Sequence, residues 1–113
     1  MTARRVILEM GTGNDLHGGD YTKAAIRAVQ DAIHHSSLSM IGSLGVDSKK
    51  MQVDVTIGVQ QPGKVDTEAV KATLPHGIVT VTAVKGGLDV PDDERGDIAV
   101  IASAAVAVRL ELP

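Results

Sequence analysis

The sequence predicts an α/β (α+β) domain spanning residues 1–113. It has a four-stranded, mostly antiparallel sheet with two helices on one face, in the order β-α-β-α-β-β. Three observations predict it. Residues 51–59 alternate without a fault, with Met51, Val53, Val55, Ile57 and Val59 on one side and Gln52, Asp54, Thr56 and Gly58 on the other. That two-residue period is a strand with one buried face. Ala25, Ile26, Val29, Ala32 and Ile33 recur at three- and four-residue spacing, which makes one helical stripe of residues 21–36. The other apolar runs are short, rich in β-branched residues and bounded by glycine, proline and aspartate.

Taken in order, Arg4 to Met10 form the first strand, and the glycine-rich stretch from Gly11 to Asp20 follows as a loop. Asp20 is placed to cap the first helix, and Arg27 and Asp31 are spaced to pair on its outer face. Ser36 to Lys50 reads as a partly buried connection with a helical turn, leading into the alternating strand. Gln61-Pro62-Gly63 ends that strand. Asp66 caps a second helix running to about Thr73, with Val65 and Val70 spaced as a hydrophobic staple. Pro75 bars Leu74 from helical geometry.

Ile78 to Val84 is the third strand, closed by Gly86-Gly87. Leu88 to Gly96, which contains Pro-Asp-Asp-Glu-Arg-Gly, reads as an exposed acidic loop. Ile98 to Leu112 is the last strand and not an alanine-rich helix, because Ile98, Val100, Val106 and Val108 keep the alternation. Its small residues Ala102, Ser103, Ala104, Ala105 and Ala107 call for a close neighbour.

Composition bounds the function. Tyr21 is the single aromatic among 43% hydrophobic residues, so the core is built from Val, Ile, Leu, Ala and Met and is thin for its length. A thin core favours burial between subunits. The expected assembly is a homo-oligomer, a trimer or larger ring, with the free sheet face partly covered by a neighbour. A net charge of −3 with scattered basic residues argues against a nucleic-acid surface. The lack of cysteine excludes disulfides and thiolate sites. No leader and no bilayer-length apolar run is visible, so the expectation is a cytoplasmic protein with no membrane partner.

The candidate site is the glycine loop. Gly11, Gly13 and Gly18 allow backbone amides to converge, and a helix N-terminus aims its positive end at the same place. In the sharper reading these glycines and Lys23 bind a small polar or anionic ligand, Asp15 positions it and His17 transfers or shares a proton. In the plainer reading the glycines supply turn geometry and Asp15 bonds local amides.

A nucleotide loop does not fit, because Leu16 stands where the third glycine of GxGxxG belongs and no Lys-Ser/Thr pair follows. Asp15 and His17 with Asp20, His34 or His35 offer metal donors, but no His-x-x-x-His or comparable pair supports them, so no metal and no cofactor is assigned. His34 and His35 suit a helix C-terminus. His76 lies in a Pro-His-Gly turn facing solvent. Lys85 and Ser103 offer a Ser–Lys nucleophile if they meet across a subunit boundary, and otherwise an exposed lysine and a packing serine.

Gly11, Gly13, Asp15, His17 and Gly18 fit the string GxGxDxHG. With Thr22-Lys23-Ala24-Ala25, the strand Val53 to Ile57 and Gly86-Gly87-Leu88, they make the chain resemble the Lin-type conserved hypothetical proteins of bacteria and plants, over nearly its whole length. That resemblance implies a family but no activity. The element order is similar to that of trimeric chorismate mutase-like proteins, and to single units of the ring-opening amidohydrolases that act on cyanuric acid and barbiturate. This likeness implies ligands in clefts between adjacent units, and makes hydrolysis of a cyclic amide the first reaction to test. The alternative is a structural or regulatory homo-oligomer without chemistry, in which the loop is an assembly element.

Overall fold

A computed structural model describes residues 3–34, 50–74 and 77–111. The elements are β1 (Ala3–Asp15), α1 (Tyr21–His34), β2 (Gln52–Val59), a 3-10 turn at Pro62–Lys64, α2 (Thr67–Lys71), β3 (Ile78–Lys85), β4 (Leu88–Asp92) and β5 (Asp97–Glu111). They form one open sheet of five strands, in the order β1-β5-β2-β3, with β4 also paired to β5. The expected count of four is therefore corrected. β5 is antiparallel to β1, β2 and β4, whereas β2 and β3 run parallel.

The added strand is β4, where an acidic loop was expected; only residues 93–96 turn. Pro91 and its acidic neighbours disguise it. β4 pairs only with β5, and an edge strand tolerates proline. It is the continuation of β3. Beyond Lys85 the chain steps over the end of β2 and resumes beside β5, so that Gly58 and Leu88 pair with Ser103 and Ile101 of the same strand. The crossing is backbone on backbone: a Cβ on Gly86 would lie 3.1 Å from the Gly58 Cα. The Gln60 Nε2 clamps it by donating to the Gly86 and Gly87 carbonyls, each at 3.1 Å.

β1 is longer than expected. It runs through Gly11 and Gly13, which pair with Ala104 and Ala102 of β5. The reason lies in α1. A Cβ at Gly11 would fall on the backbone of Ala28 and Ala32, and one at Gly13 on that of Ala24 and Ala28. Ala24, Ala28 and Ala32 recur every four residues and are fully buried, so a stripe of methyls settles onto a floor of glycine and alanine.

Val53, Val55, Ile57, Val59, Val106 and Val108 fill the rest of the same core, to which α2 adds Val70 and the residue before its cap adds Val65. Both expected caps form. The Asp20 Oδ1 accepts the Lys23 amide at 3.0 Å, and the Asp66 Oδ1 accepts the Ala69 amide at 3.1 Å. The expected outer-face partners separate. Arg27 donates to the Asn14 carbonyl at 2.6 Å, and Asp31 accepts the Thr12 amide at 2.9 Å.

The opposite face presents Leu8, Met10, Ile78, Val84, Leu88 and Val90 as exposed apolar side chains. Among the described residues, no helix is long and apolar enough to cross a membrane. The connection at 35–49, with His35, and the turn residue His76 lie outside the described residues.

Candidate functional site

The end of β1 brings Asp15 beneath the start of α1. Asp15 and the β4 residue Asp89 both pair with Val100 and flank it on the helix-facing side. Asp15 is only 3% exposed. Its Oδ2 accepts the Asp20 amide at 2.9 Å, and its Oδ1 faces Lys23 Nζ at 3.6 Å and Arg27 Nη1 at 3.9 Å. A buried carboxylate needs such compensation, and here it ties the loop to the helix start.

His17 stands at the rim, with its side chain 76% exposed. Its Nδ1 lies 3.0 Å from Asp97 Oδ2. The other carboxylate oxygen of Asp97 accepts the amides of Gly18 and Ile98, both at 2.8 Å. These two amides, and then the His17 bond, hold the Asp97 carboxyl down at about 2. An ionised carboxylate only accepts, so Nδ1 carries the proton and a neutral ring presents Nε2 as a free base.

Asp97 is the partner that sequence reasoning missed. It lies 80 residues from His17 and is brought there by the β1·β5 pairing, so no local spacing marks it.

Of the loop amides expected to converge, several are bonded within the chain. The Thr12 amide turns outward to Asp31, so alternation along β1 turns those of Gly11 and Gly13 towards β5. The Gly18 amide goes to Asp97 and that of Asp20 to Asp15. The structure thus groups Asp15 with Lys23, and His17 and Gly18 with Asp97. Gly11 and Gly13 instead lie beneath α1.

Among the described residues no group of three or more His, Asp or Glu is placed to hold a metal ion. Ser103 pairs with Gly58, which pairs with Val84, so Lys85 points to the opposite face within one chain.

A second polar cluster lies under α1. The Tyr21 hydroxyl donates to Asp89 Oδ2 at 2.6 Å and accepts from Gln61 Nε2 at 3.0 Å. Its pKa is raised, first by the bond to Asp89 and then by burial. The remaining oxygen of Asp89 is buried without a partner among the described residues. A depression of ≈ 540 Å³ lies elsewhere, along the open face, lined by Met10, Thr12, Thr56, Gly58, Ser103 and Ala105 among others.

A family model described as a conserved hypothetical protein (Lin0512_fam) matches residues 5–108. A crystal structure described as an FtsZ-like protein of unknown function, from Nostoc punctiforme, is 38% identical with a TM-score of 0.85, covering 99% of each chain. No curated protein matches the chain.

Proposed function

The chain belongs to the conserved hypothetical protein family Lin0512_fam, and on that premise we propose that it binds a small polar, anionic or amide-bearing ligand at the rim of α1, with His17 as the proton-transferring group. The observation that carries this reading is the bond from His17 Nδ1 to the ionised Asp97, which orients the ring and leaves Nε2 free at an exposed edge. Lys23 supplies a cation beside the loop, Asp15 positions it, and Gly18 shapes the turn that places His17.

For a cyclic amide, Nε2 takes a proton from water as the oxygen adds to the carbonyl carbon. The C–N bond then breaks, and the same proton passes to the leaving nitrogen. The element order expected from the sequence, similar to that of units of the ring-opening amidohydrolases, makes this the reaction to test. The protein acts as a homo-oligomer, a trimer or larger.

The test uses cyanuric acid and barbiturate as probes, with binding followed by calorimetry and ring opening by loss of ultraviolet absorbance. Wild type binds or opens at least one probe, and His17→Ala loses that ability. Its assembled mass stays unchanged, and its melting temperature falls only slightly, because the lost bond to Asp97 lies at an exposed edge. A wild type inert to both probes, or a His17→Ala protein that still acts on them, overturns the reading.

One observation favours the second reading, a structural homo-oligomer without chemistry. The amides of Thr12, Gly18 and Asp20 are already bonded to the chain's own Asp31, Asp97 and Asp15. In that case His17→Ala lowers the melting temperature or splits the assembly, with no ligand to lose.

A further inference from the structure

We infer that the open face of the sheet is buried against the same face of another copy of this chain. The inference rests on the homo-oligomer reading above and deepens it by naming the surface; it does not depend on His17.

The register assembles this face in rows. Asn14, Ile101 and Leu88 form one row, and Thr12, Ser103, Gly58 and Val84 the next. Then come Met10, Ala105, Thr56 and Thr82, followed by Leu8, Ala107, Asp54 and Thr80. Small and hydroxyl-bearing residues make the floor. Larger apolar ones, Leu8, Met10, Val84 and Leu88, stand exposed around it. Scattered exposed apolar residues need no explanation, but a contiguous set on one flat face does.

Charge points to a second copy as the occupant. These rows hold one ionised group, Asp54, whose Oδ2 accepts from Arg109 Nε in the next row at 3.0 Å. Asp54 and Arg109 offset each other. Among the described residues, the remaining cation of this face, Arg5 beside Arg109, lies beyond these rows at the far end from the depression, which Asp31 borders. Two such rows therefore meet with little repulsion and offer a polyanion or an anionic lipid little net attraction.

Size agrees. With strands about 4.8 Å apart and a rise of about 3.3 Å per residue, the paired part of the sheet covers roughly 700 Å². Each partner in a standard interface buries about 800 Å².

Shape agrees as well. Met10, 73% exposed, projects beside the depression of ≈ 540 Å³ floored by Gly58, Ser103 and Ala105. A projection next to a hole is self-complementary under symmetry, because each copy's Met10 fills the depression of another.

The test is the mass of the native protein in solution, measured by sedimentation and light scattering for wild type, Met10→Glu, Ala105→Glu and Lys71→Glu. Wild type and the Lys71→Glu control, which lies on the helix side, are expected at the mass of two or more chains. Met10→Glu and Ala105→Glu are expected at the mass of one, with the circular dichroism of the folded chain retained. If wild type assembles and both face variants still assemble, the face is wrong while the oligomer stands. If wild type runs as a single chain at its highest soluble concentration, both fall. A single chain that sediments with phosphatidylcholine vesicles would assign the face to a lipid surface instead.

Discussion

Asp97 receives three donors on two oxygens, from Gly18, Ile98 and His17. Because these bonds favour the charged form, its carboxyl is held at about 2 against an ordinary 3.8. A carboxylate with a depressed pKa stabilises the fold above its unfolded value, and that stability is lost as pH falls through the folded one. Asp97→Asn is therefore expected to lower the melting temperature above about pH 5, with the gap to wild type closing as pH approaches 2. Thermal melts by circular dichroism across that range check it. A gap that does not change with pH would mean that the charge is irrelevant. His17 stood out in the sequence because a turn has no need of an imidazole. Its partner did not, since only long-range register brings residue 97 to residue 17.

Elements with one buried face were legible for the same reason that they form. β2, α1 and β5 alternate or repeat because one side of each meets the core. β1 beyond Met10 was not legible, because Gly11 and Gly13 signal a loop when read locally. Here they answer a tertiary demand, the approach of Ala24, Ala28 and Ala32 to the strand backbone. That difference can be measured. Gly13→Ala forces a methyl into the helix backbone, and overpacking of this kind costs about 1–3 kcal/mol. A denaturation midpoint lowered to match, with the far-ultraviolet spectrum retained, is the expected result. A Gly13→Ala protein of unchanged stability that loses a ligand would instead return the glycine to the role of a backbone cradle.

At the scale of the molecule, the core is made almost wholly of small aliphatic groups: six alanines and a set of valines are buried, with Tyr21 as the single aromatic. Such side chains bury little area each, and the scarcity of aromatics was plain in the composition. What composition could not give is where the missing burial is found, because the open face exists only once β4 and β3 have taken their places beside β5 and β2. If that face is shared between copies, unfolding also separates chains, and mass action makes stability depend on concentration. For an assembly of three chains this length, each tenfold rise in concentration should raise the melting temperature by roughly 4 °C. Wild type is expected to show this slope. Met10→Glu is expected to melt lower and at a temperature independent of concentration, because its unfolding no longer includes dissociation. The slope answers a different question from the mass: an assembly held together by weak surface contacts can sediment as an oligomer and still melt as independent chains. A flat wild-type series would show that the sheet and its helices are stable alone, and that the thin core suffices without a partner.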